Sequence, residues 1–194
     1  MSCAFFLALK TAFGYNFFMN MQRVEKYKQI IRDIINSDVK FFGFDNSVEW
    51  EFFEDSSIAN AAKTDSSFKL YININSVEFA YEIDQPLQIE LFILHEIRHI
   101  YQRRFLLSYK TGADCPNPEL AQVYEWEFNH YVPPSYKEGY YSQQTEFEAF
   151  AFSHAVMLYK YGEIHYLEPP SFLKSLGIQS HIDKWLDIFR QRRL

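Results

Sequence analysis

Residues 87–105, LQIELFILHEIRHIYQRRF, contain neither glycine nor proline, and most of their apolar side chains demand burial. Asp84 and Pro86 just before them supply a helix start, so the stretch predicts one long helix reaching about Leu107. In its middle stand His95, Glu96 and His99. An unpartnered buried polar group costs about 1 to 3 kcal/mol, so a fold that buries this helix must bring partners to all three. Residues four apart on a helix lie one above the other, and His95 and His99 therefore offer two imidazole nitrogens to one point. A metal ion satisfies both, with Glu96 beside them, able to reach a water without becoming a ligand. The alternative is a pair of core histidines bonded to backbone or carboxylate groups.

With 194 residues and 48% hydrophobic content, the chain is long enough to close one substantial core, and a single domain is expected over 21–194. Residues 1–20 read as an apolar leader, or as sequence ahead of a later start at Met19 or Met21. A formal charge of −6 argues against a general nucleic-acid binder, and the basic ending RQRRL is explained by cations complementing a helix C-terminus. No other segment offers the roughly 18 apolar residues of a membrane span. Cys3 and Cys115 are the only cysteines and lack CxxC spacing, so no disulfide framework is implied and a reducing, cytoplasmic compartment is expected.

Around the long helix, apolar periodicity predicts a mixture of elements. Val24, Tyr27, Ile30, Ile31, Ile34 and Ile35 form the stripe of a helix from about 21 to 35. FFGF (41–44) and VEWEFFED (48–55) read as short strands, DSSIANAAKTDSS as a polar loop, and FKLYINI (68–74) as a strictly alternating strand. VEFAYEI (77–83) fits either a strand or a short helix capped by Ser76. Further helices are expected from Pro118 to Phe128, from a Ser142 cap to Gly162, and over a terminal stripe of Ile182, Trp185, Leu186 and Phe189. The class is α+β.

HEIRH is an HExxH pattern on a helix, the signature of zinc peptidases. A catalytic zinc takes three protein ligands and keeps a fourth position for water, so a third ligand is needed. The continuation with a glycine and a third histidine is missing, because Gln102 and Phe105 stand there, which argues against a metzincin. Downstream, TEFEAFAFSHA resembles the glutamate helix of gluzincins, with Glu146, Ala149, Ala151 and Phe152 in register. The likeness is to compact gluzincins, the minigluzincins and ImmA/IrrE-like metallopeptidases, over roughly half the chain.

That resemblance implies a zincin-like fold, a small mixed or antiparallel sheet against the HExxH helix and the glutamate helix. It implies Zn2+ held by His95, His99 and Glu146, with Glu96 as general base for peptide-bond hydrolysis. Tyr140 and Tyr141, just before the glutamate helix, are candidates for stabilising the oxyanion. A peptide or protein substrate would lie extended along 68–74, near Tyr71. Glu148, about 200° around the helix from Glu146, is expected to be solvated or to support the site from behind. His130 and His154 are weaker ligand candidates. Arg98, Arg103 and Arg104 are read as partners of acidic neighbours or covers of the helix end. Phe150 stands where these families carry an Asp or Asn supporting a metal ligand, which keeps open a second reading: a non-catalytic binding protein with a degenerate or structural metal site.

Overall fold

The computed structural model of the protein describes residues 23–42, 48–58, 61–113 and 115–192. The leader expected over 1–20, with Cys3, lies outside them. Among the described residues there are eight α-helices and one three-stranded mixed sheet, an α+β architecture. Helix α1 covers 23–38 and buries Tyr27, Ile31 and Ile35 from its predicted stripe. The strand expected over 41–44 is corrected: Phe41 and Phe42 end a 3-10 turn, Val39–Phe42, that continues α1 and buries both rings in the core. Residues 43 and 44 lie outside the described segments.

Strand β1 is Trp50–Phe53, β2 is Ala62–Thr64 and β3 is Leu70–Asn73. β3 is the middle strand, parallel to β1 and antiparallel to β2. It is shorter than the alternation of 68–74 predicts, for two local reasons. The Asp65 carboxylate accepts from the backbone N–H of Ser67 (2.9 Å) and Lys69 (3.1 Å), forming a turn in which Phe68 takes a left-handed φ of 67°, so pairing starts only at Leu70. At the other end the buried Asn73 side chain accepts from Asn75 N–H and starts a helix at Ile74. That helix, α2 (Ile74–Glu82), settles the ambiguity over 77–83, and its cap is Asn73 in place of Ser76. The polar loop expected after β1 contains β2, which forms a hairpin with β3, Thr64 standing opposite Leu70.

Helix α3 (Leu87–Lys110) begins immediately after Pro86 and runs unbroken for 24 residues. It is followed by α4 (Pro118–Asn129), α5 (Lys137–Ser142), α6 (Gln144–Tyr161), α7 (Ser171–Ser175) and α8 (Ile178–Arg192). Ser142 ends α5 and does not cap α6, contrary to expectation. Instead the buried Glu127 of α4 reaches the first turn of α6 and accepts from the N–H groups of Gln144 (2.7 Å) and Thr145 (2.8 Å). A carboxylate there satisfies two orphan donors and complements the helix dipole.

Ile93, Leu94, Ile97 and Ile100 of α3, Phe152 and Val156 of α6, and Ile182, Leu186 and Phe189 of α8 belong to one buried cluster with Leu70 and Ile72 of β3. Phe189 meets Phe41 and Phe152 edge to face, at centroid distances of 5.2 and 5.7 Å. No helix among the described residues is long and apolar enough to cross a membrane. Cys115 is a free thiol. This core clamps α3 to α6 and thereby fixes the spacing between the two motif-bearing segments.

Candidate metal centre

His95 and His99 project from the middle of α3, and Glu146 from the first turn of α6, all three buried. His95 Nε2 lies 3.2 Å from Glu146 Oε2 and 3.1 Å from His99 Nε2, and His99 Nε2 lies 3.4 Å from Glu146 Oε1. Bonds of about 2.0 to 2.1 Å in a tetrahedral arrangement require donor atoms about 3.3 Å apart. Each imidazole nitrogen lies at about that spacing from one Glu146 oxygen, His95 from Oε2 and His99 from Oε1, and these residues could hold a metal ion.

Hydrogen bonding prepares one of the imidazoles for that task. The buried Gln102 donates its amide to Thr145 O (2.9 Å), which turns its carbonyl oxygen towards His99 Nδ1 at 2.8 Å. His99 thus keeps its Nδ1 proton on Gln102, and Nε2 is the nitrogen that would turn a lone pair to the triad once its own proton leaves. His95 lacks such support, since its Nδ1 is buried without a hydrogen-bond partner. The ring of Phe150 packs against it, with the centroids 4.4 Å apart, and offers no acceptor.

The electrostatics call for positive charge. Burial disfavours a charged His99, but Glu146, Glu96 and Gln102 outweigh it and lift the imidazole to about 9. Burial would likewise raise Glu146, yet His99 and His95 outweigh it and hold the carboxyl well below its ordinary range. Left alone, the triad retains a proton among its three members, and a cation can take that proton's place.

The triad opens on a cleft of about 540 Å³ that also receives Glu96, Tyr131, Tyr140, Tyr141 and Arg103. Burial first, and then the Glu146 carboxylate, raises the phenols of Tyr131 and Tyr140, so both remain protonated donors beside it. Tyr141 instead packs against Phe150 and Phe172, at 5.4 and 6.0 Å. Glu148 is not solvated as one expectation had it. It accepts from Arg98 (3.3 Å), Gln144 (2.7 Å) and the Tyr124 hydroxyl, tying α6 to α3 and α4.

His130 and His154 lie outside the triad. His130 stacks on Trp126 at 4.7 Å with its Nδ1 against the Trp126 carbonyl, and the buried His154 spends its Nδ1 on the Phe150 carbonyl at 2.8 Å. Burial pushes His154 down to about 4, so it stays neutral.

No family model matches the chain, and neither a curated protein nor a solved structure does so.

The strand expected to receive substrate is corrected by topology. β3 has a neighbour on each side, so its backbone groups are spent, and the Tyr71 hydroxyl donates to Asp65 Oδ2 at 2.9 Å. The outer strand beside the cleft is β2, whose Ala62, Lys63 and Thr64 line it. Sequence reasoning passed over Tyr131 and β2, and treated Gln102 only as a departure from another motif. Gln102 had a usable signal, because it shares a face of α3 with His95 and His99 at helical spacing.

Proposed function

We propose that the chain is a zinc-dependent metallopeptidase with a zincin-like fold. The observation that carries this reading is the convergence of His95, His99 and Glu146 on one point, with Glu96 in the same open cleft. Two imidazoles and one carboxylate form the His2Glu donor set of catalytic zinc sites. Zinc bound there would supply a Lewis acid that polarises a carbonyl and brings the pKa of water towards about 7.

The chain's own groups do the rest. Glu96 accepts the proton of the attacking water and delivers it to the leaving amine. Tyr140 and Tyr131, held protonated beside Glu146, donate to the developing oxyanion. Tyr141 shapes the wall behind them. A substrate in extended form pairs with the open edge of β2, adding a strand to the sheet above the triad.

A non-catalytic binding role is the second reading, and the orphaned His95 Nδ1 beside Phe150 is the observation that favours it. Removing metal separates the two. Cleavage of a randomised peptide mixture should stop on chelation and return with added zinc; unchanged cleavage after chelation would exclude a metal-dependent reaction.

A further inference from the structure

Arg103 lies one turn beyond His99 on α3, and its side chain enters the cleft that holds the triad and Glu96. Its guanidinium sits over the Phe128 ring, 4.2 Å from the centroid, a contact that uses none of its N–H donors. Its Nε is buried with no hydrogen-bond partner, as is the Nε of Arg98, and among the described residues no ion pair joins Arg103 to a carboxylate. Arg98, on the same helix, is by contrast paired with Glu148. A guanidinium needed only to brace α4 could be replaced by any long apolar stem on Phe128. A half-buried one that lines the cleft without a carboxylate partner among the described residues has the form of a receptor.

We propose that Arg103 receives a substrate carboxylate through a bidentate contact, so that the cleft selects peptides bearing an acidic side chain or a free C-terminus beside the scissile bond. The selection rests on the peptidase reading above, and it supplies that reading with a substrate class. Burial lowers the pKa of Arg103 against the opposing pull of Glu96 and Asp65. The planar fork matches a carboxylate in a way that a lysine ammonium does not. Lys63 on β2 adds a second cation to the wall of the same cleft.

The test uses the full chain carrying Glu96→Gln, loaded with zinc, so that peptides bind without being consumed. Decapeptides are randomised at all positions but one, which is fixed as Asp, Glu, Asn or Gln, and each pool is made with a free and with an amidated C-terminus. Dissociation constants are read pool by pool. The acidic pools should bind about tenfold tighter than their amide counterparts, and Arg103→Met should bring the ratio to about one. Whether the fixed side chain or the terminus carries the preference identifies the source of the carboxylate. Arg103→Gln repeats the measurement should the Met variant fold poorly, and zinc content checks that each variant keeps its site. Equal binding of acidic and neutral pools, a preference surviving both substitutions, or no binding by any pool overturns the assignment. Cleavage by the wild-type chain is scored separately, so a peptidase without this selectivity and a carboxylate receptor without hydrolysis give different results.

Discussion

Glu96→Gln is expected to lower peptide hydrolysis by about a hundredfold to ten-thousandfold while leaving bound zinc at the wild-type level. Glu96 lines the cleft, and the donor triangle is complete without it. Glutamine keeps the volume and the polar contacts but cannot accept a proton from water, so the loss should fall on turnover. Kinetics and zinc content measured on the same preparation check both halves. Wild-type turnover in the variant would remove Glu96 from the mechanism, and loss of zinc would instead make it part of the coordination.

Lys160→Met should cost about 3 to 5 kcal/mol of folding stability, read from the midpoint of urea unfolding. Lys160 of α6 donates to Asp38 at the end of α1 (2.7 Å) and to Glu90 of α3, both carboxylates being buried, and the Tyr161 hydroxyl adds a bond to Glu90 at 2.9 Å. Methionine fills the stem's space but leaves two buried carboxyl groups without their cation. A change below about 1 kcal/mol would show that the network is hydrated or dispensable.

The same cluster predicts a pH dependence. Burial first, and then Glu90, pushes Asp38 up to about 7 against the pull of Lys160. The folded state thus keeps a proton that the unfolded chain, with its ordinary value of 3.8, releases. This contribution is fully present below the unfolded value and is lost as pH rises through about 7. Asp38→Asn should flatten that part of the slope between about pH 4 and pH 7, and a parallel pair of stability curves would refute it.

How much could be read in advance varied with the range of the forces involved. The stripes of α1 and α8 were legible because one face of each helix meets the core, and Tyr27, Ile31, Ile182 and Phe189 follow the 3.6-residue period. His95 and His99 were legible from their four-residue spacing on one helix, and Glu146 only from the resemblance of its segment to the glutamate helix of gluzincins. β2 was hidden because three residues, Ala62, Lys63 and Thr64, become a strand only by pairing with β3. The segment 77–83 satisfied both periods, and a single side chain, Asn73, decided it. α5, with none of its residues buried, offered no apolar stripe to find. Within the site, Gln102 acquires its role from Thr145 across the α3 and α6 contact, and Tyr131, in the segment after α4, acquires its role from Glu146, relations that no local pattern encodes.

Elemental analysis of the purified chain alongside Glu146→Ala bears most directly on the proposed centre. About one zinc per wild-type chain, sharply reduced in the variant, is the predicted result. No zinc in the wild type after reconstitution, or equal zinc in both proteins, would contradict it and leave His95, His99 and Glu146 as a buried hydrogen-bonded cluster.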